Sequence, residues 1–180
     1  MIIIALGANL PSPVHGSPAA TLDAALRTLG DAGVETVVRS PWFESEPVPP
    51  SDQPWFVNGV AIVRTALGPQ ELLTRIHEVE RSFGRVRRKR WEARVIDIDL
   101  IAYGDLVLPD AAAWRAAGEA PPETPPDGLV LPHPRMQDRR FVLEPLVAVA
   151  PEWRHPVLGR TARDLFAALP PATGIVRPLP

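Results

Sequence analysis

Hydrophobic and polar positions along this chain repeat with two periods, and the changes of period mark out its elements. Ile2–Leu6 is an unbroken apolar run stopped by Gly7-Ala8-Asn9, the pattern of a buried strand followed by a loop. Ser17-Pro18 offers a capping hydroxyl and a proline at the first helical position. Leu22, Ala25, Leu26 and Leu29 then follow at helical spacing to an end near Gly30 or Gly33. Val34–Ser40 reads as a second strand, and the alternating, Val- and Ile-rich Phe56–Thr65 as a third. Gly68-Pro69 opens a second helix, closed by Gly84, whose Leu72, Leu73, Ile76, Val79 and Phe83 share one arc. Val95–Tyr103 predicts a further strand, and Thr161–Leu169 a capped terminal helix stopped by Pro170-Pro171.

Two stretches carry no period. Pro41–Pro54 holds five of the 23 prolines and reads as an unusually long loop, which favours a functional role. Residues 110–128, rich in Ala and Pro, read as an inserted, flexible surface loop. The order β-α-β-β-α-β with a further C-terminal segment predicts one α+β domain over residues 1–180. Its fold would be a ferredoxin-like α/β sandwich with a central, mostly antiparallel sheet and long active-site loops.

Composition narrows the class. The net charge of −2 argues against a general nucleic-acid binder, and no apolar run is long enough to span a membrane. Cysteine is absent, which rules out disulfides, thiolate zinc sites and cysteine nucleophiles and is compatible with a reducing cytoplasm. The N-terminus has no basic region ahead of its apolar run, so we read it as a strand and not a signal peptide.

Charge is concentrated in one place. Six of the 19 Lys and Arg residues lie between Arg85 and Arg94, with Glu92 the only acid among them, and the run leads into Ile96-Asp97-Ile98-Asp99-Leu100. On a strand, Asp97 and Asp99 project from one face while Ile96, Ile98 and Leu100 project from the other. Paired carboxylates repel unless a cation lies between them, and Mg²⁺ with a polyphosphate meets both the acids and the arginines. A solvated strand face beside a neutralising loop is the plainer alternative. Glu80 adds to the pattern, because it falls inside the apolar arc of its helix while His77 lies just outside. A buried carboxylate needs a partner, either a structural arginine or the basic pocket immediately downstream.

Four segments in this order resemble the 6-hydroxymethyl-7,8-dihydropterin pyrophosphokinase family of folate biosynthesis: IALGANL, FESEPVPPSDQPWFVNGV, GRVRRKRWEARVIDIDLIAYGD and LPHPRMQDRRFVLEPLVAVAPEW. The resemblance implies an ATP- and Mg²⁺-dependent enzyme that moves pyrophosphate from ATP to the pterin hydroxymethyl oxygen and releases AMP. It implies two Mg²⁺ ions on Asp97 and Asp99, with Arg85 and Arg94 beside them as catalytic residues. ATP binding is assigned to His77, Glu80, Arg85, Arg87, Trp91, Arg94, Ile98, His133 and Arg139. Pterin binding is assigned to Ser45, Val48, Phe56, Asn58, Trp91 and Phe141. His77 matches a position often occupied by glutamine. Glu92-Ala93 replaces a usual Gly-Pro, and Pro49-Pro50 replaces a usual glycine, which bears on loop closure more than on identity.

A cytoplasmic monomer acting on small molecules, with no nucleic-acid or membrane partner, is the expectation. Residues 44–53 and 85–94 are expected to close over the substrates as lids. Another Mg²⁺-dependent nucleotidyltransferase would leave DQPWFVN unexplained. A non-catalytic RNA- or nucleotide-binding domain would leave the aspartate pair unexplained, since carboxylates repel a nucleic-acid backbone.

Overall fold

The computed structural model describes residues 1–47, 51–85, 94–121, 124, 126–170 and 176–179. Its centre is a six-stranded sheet in which every named pair is antiparallel. β1 (Ile2–Ala8) lies between β4 (Phe56–Arg64) and β5 (Asp97–Tyr103). β2 (Glu35–Arg39) and β3 (Phe43–Ser45) share the far side of β4, and β6 (Val176–Pro178) pairs with β3. The expected α+β sandwich with a mostly antiparallel sheet is what forms.

α1 (Pro18–Asp31) starts as its sequence requires, with Ser17 Oγ accepting from the Ala20 N–H (3.3 Å) and Pro18 in the first turn. In α2 (Pro69–Ser82) the Glu71 carboxylate accepts from the Gly68 N–H (2.9 Å). Both helices pack on one sheet face, where Leu22, Leu29, Leu72 and Ile76 meet Ile4, Leu6, Ile98 and Leu100. The other face is covered by α4 (Arg140–Val149) and α5 (Ala162–Ala167), through Val142, Leu143, Leu146 and Leu165 against Ile3, Val60 and Ile101. A register shift between Ile3 and Ile4 leaves Ile101 as the extra residue and puts the consecutive Ile101 and Ala102 in the same cluster, so β5 changes its inward face at that point.

Three readings of the sequence need correction. The segment 110–128 is not simply loop. It contains α3 (Ala111–Glu119), capped by Asp110, whose carboxylate accepts from Ala112 N (2.8 Å) and Ala113 N (2.9 Å), and it buries Trp114. The proline-rich stretch 41–54 includes β3, whose three residues pair with Phe56–Asn58. The region after Arg139 is the helix α4, which covers the second face of the sheet and which the periodicity did not reveal.

Candidate active site

Register across the sheet brings the candidate residues together. Gly7 on β1 lies opposite Asn58 on β4 and Asp97 on β5, and Phe43 lies opposite Asn58 in turn. Side chains in one cross-strand row share a face. Asn58 and Asp97 are therefore next-but-one neighbours, roughly 10 Å apart at two strand spacings, with nothing but a glycine between them. A Cβ at Gly7 would lie 2.9 Å from Asn58 Oδ1, so this gap cannot be filled without moving Asn58. Asp99 lies one step along the same face, opposite Ala5.

The two aspartates are surrounded by guanidinium groups. Arg85 approaches Asp97 Oδ1 at 2.6 Å, Arg94 pairs with Asp97 Oδ2, and Arg139 lies 3.8 Å from Asp99 Oδ2. Burial first and the charge of Asp99 second push the Asp97 carboxyl above its ordinary value, against the pull of Arg85 and Arg94. Burial works against the charge on Arg85, yet Asp97, Glu80 and Asp99 together raise its pKa above the ordinary value. On Arg139 burial prevails, and its pKa is lowered despite Asp99 and Asp97.

Glu80 is only 1% exposed and pairs with Arg85. It also accepts a hydrogen bond from the Ile98 N–H (2.7 Å). Both partners foreseen for it are therefore the same residue: the arginine that satisfies Glu80 belongs to the basic cluster. Ile98 buries its side chain in the core and turns its backbone to the outer edge of β5. His77 lies one turn before Glu80 on α2 and is half-buried.

His133 follows β5 in space, its N–H donating to Ile101 O (2.8 Å). Burial, and then the charge of Arg139, lower its pKa to about 3, so the ring is neutral. The Arg135 N–H donates to its Nδ1 (3.2 Å), which leaves the ring proton on Nε2.

Ser45, Phe56, Asn58 and Phe141 gather on the same side of the sheet. Asn58 Nδ2 donates to Ser45 Oγ (2.7 Å), Phe56 pairs with Ser45 across β3–β4, and Phe141 packs at the margin of the α4 core. Arg139 lies over the Phe141 ring at 5.8 Å and joins this group to Asp99. Val48, Arg87 and Trp91 lie outside the described residues, as do residues 48–50 and 86–93 of the two segments expected to act as lids.

The sequence did not single out Asn9 as a functional residue. Its Oδ1 accepts from the Arg94 N–H (2.7 Å), and its Nδ2 donates to Pro54 O (3.1 Å) and Gln53 Oε1 (3.3 Å). One buried amide thus ties the segment before β4 to the arginine before β5. Its place after an apolar strand and glycine was visible, but its partners lie about 45 and 85 residues away.

Paired acids among arginines, beside aromatic and amide side chains on one face of an open sheet, suit a protein of the class that handles phosphate groups. The comparisons say which: the chain belongs to the 7,8-dihydro-6-hydroxymethylpterin-pyrophosphokinase family, whose model matches residues 3–151. It is 39% identical to the 2-amino-4-hydroxy-6-hydroxymethyldihydropteridine pyrophosphokinase of Pseudomonas aeruginosa over 94% of this chain and 91% of that protein. It is 35% identical to the protein of that name from Synechocystis over 91% of this chain and 73% of that one. Among solved structures it resembles wild-type Plasmodium falciparum HPPK-DHPS with pteroate (TM-score 0.65, 14% identity), spanning 92% of this chain but only 43% of that longer one. That last likeness bears on the fold alone.

Proposed function

We propose that the open end of this sheet face binds ATP and a dihydropterin side by side, with Asp97 and Asp99 at their junction. Family membership makes the reaction pyrophosphoryl transfer to the hydroxymethyl group of 6-hydroxymethyl-7,8-dihydropterin, a step of folate biosynthesis. A bond forms between the hydroxymethyl oxygen and the β-phosphorus of ATP, the bond from that phosphorus to the α,β-bridging oxygen breaks, and AMP leaves. The observation that supports this reading best is the row Asn58–Gly7–Asp97, which sets a pterin-reading amide and a phosphate-side carboxylate on one face.

On the pterin side, Asn58 and Ser45 read the polar rim while Phe56 and Phe141 offer faces to the flat bicycle, and the family resemblance adds Val48 and Trp91 to the pterin-binding residues. On the nucleotide side, Arg85, Arg94 and Arg139 neutralise phosphate oxygens, and the family resemblance adds Arg87 and Trp91 to the ATP-binding residues. Glu80 holds Arg85, the outer edge of β5 at Ile98 and the His77 turn face the base, and His133 donates from Nε2. Asp97 and Asp99 fit Mg²⁺, since they are hard oxygen donors on one strand face, where burial and then the charge of Asp99 raise the Asp97 pKa. When bound, two such ions would polarise the phosphates and acidify the attacking hydroxyl. The protein's own part is to place the two substrates, to hold Arg94 through Asn9, and to exchange arginine–carboxylate pairs for arginine–phosphate pairs. No helix among the described residues is long and apolar enough to cross a membrane. We place the enzyme in the cytoplasm as a monomer, which sedimentation at micromolar concentration would check.

The test is AMP formation from ATP, Mg²⁺ and 6-hydroxymethyl-7,8-dihydropterin, with Asp97→Ala alongside. AMP should require both pterin and Mg²⁺ and should fall by about 10²–10³ in the variant. Nucleotide hydrolysis indifferent to pterin, or an unaffected variant, would overturn the reading.

A further inference from the structure

We propose that Trp114, carried by α3, is a positioning residue for the nucleotide side of the site. It would act by fixing the loop that presents His133 and Arg139. The proposal rests on the nucleotide role of those two residues given above.

The segment around α3 grips this loop at several points. Before the helix, Leu108 and Leu131 exchange backbone hydrogen bonds (2.9 and 3.1 Å). In its middle, the buried Trp114 donates from Nε1 to the carbonyl of Pro132 (2.8 Å), the residue immediately before His133. Further on, Gly118 lies so close that a Cβ there would be 3.1 Å from Pro134 O. After the helix, the Arg135 guanidinium donates to Ala120 O and Pro121 O, each at 3.0 Å.

The opposite side of the loop is held by β5, through His133 N–H to Ile101 O. The His133 peptide is thus clamped between the strand that bears the aspartates and a helix that the sequence presents as an insertion. The indole is itself anchored, because it meets the His155 ring edge-on at 5.0 Å, and His155 meets Trp153 of the α4–α5 core at 5.8 Å. A rigid chain of aromatic contacts therefore runs from the core to the carbonyl beside His133.

A helix that merely covered surface would need apolar contact. It would not need an indole N–H spent on a loop carbonyl, nor a glycine that lets that loop approach. These features fix position, and an ångström of misplacement in such a group is costly to rate.

The experiment compares Trp114→Phe, which keeps an aromatic ring and loses the N–H, with Gly118→Ala, which suits a helix better and presses on Pro134. Affinity for an ATP analogue should fall about tenfold in Trp114→Phe, with pterin affinity unchanged and the folded state intact by circular dichroism. Gly118→Ala should weaken the analogue in the same direction without loss of thermal stability. In a His133→Ala background, Trp114→Phe should have a smaller effect than in the parent, because part of its action runs through that residue. Equal weakening of both substrates, or full additivity with His133→Ala, would overturn the proposal and leave Trp114 a packing residue. If His133→Ala and Arg139→Ala both leave ATP-analogue affinity unchanged, the nucleotide reading itself is what fails.

Discussion

Replacing Gly7 by alanine adds one methyl group between the two halves of the site. The new Cβ would stand 2.9 Å from Asn58 Oδ1, about half an ångström inside the 3.4 Å at which ordinary contact begins. Asn58 is buried, and its amide is tied to Ser45 Oγ at 2.7 Å, so it cannot rotate away without giving up that bond. Losing a buried hydrogen bond costs about 1–3 kcal/mol, and overpacking a close contact costs a similar amount. If the strain falls on Asn58 and Asn58 reads the pterin rim, pterin affinity should drop by about 1–3 kcal/mol, or roughly 5- to 150-fold. ATP affinity should hardly change, because Asp97 and its arginines lie on the other side of β1. Calorimetric titration of each substrate, the pterin in the presence of an unreactive ATP analogue, separates the two. A folded Gly7→Ala protein with parental pterin affinity would refute the spacing argument.

Three further outcomes follow from the geometry. Glu80→Ala should cost about 1–3 kcal/mol in urea unfolding, since it orphans the Ile98 N–H and takes one carboxylate from the partly buried Arg85, which keeps Asp97. Glu80→Gln should cost less, and a cost below about 1 kcal/mol for alanine would contradict the burial argument. Asn9→Ala should lower turnover by about tenfold or more, with weaker binding of both substrates, because it releases Arg94 and the 53–54 segment together; steady-state kinetics in both substrates reads this. His155 is fully buried, and burial lowers its pKa to about 4, as it and Arg139 lower His133 to about 3. The unfolded chain then binds more protons below the ordinary histidine value of 6.5. Stability should therefore fall as pH drops from 6.5 toward 4, by up to about 1.4 kcal/mol per pH unit for each histidine. Unfolding midpoints that do not move between pH 7 and 4.5 would count against buried neutral rings.

The sequence revealed what short-range periodicity encodes. β1 stands out as an unbroken apolar run, and α1, α2 and β5 because one face of each is apolar at its own period; the same rule put Asp97 and Asp99 on one side and Glu80 on a buried arc. α4 escaped because Phe141–Val149 is apolar nearly all round and contains Pro145, which reads as a break although the helix continues through it. α3 escaped because its Ala-rich composition resembles a linker, and its one strong anchor is a single tryptophan. Asn9 and Gly7 could not be weighted from sequence, since their importance lies in what strand register and distant loops set beside them.

β5 also has a colloidal side. Among the described residues β5 pairs with no strand but β1, and its outer edge is met at the Ile98 N–H by Glu80 and at Ile101 O by the His133 N–H rather than by a further strand. Open strand edges invite pairing between molecules, and charged residues and capped N–H groups discourage it. Here Asp97 and Asp99 supply the charge and Glu80 occupies the Ile98 N–H, so the acids we propose for the chemistry should also discourage self-association. Alanine at 97 or 99 would strip away part of that guard, and a loss of soluble yield could pass for a loss of catalysis. Asparagine, which keeps the polar edge, is the better substitution for separating the two.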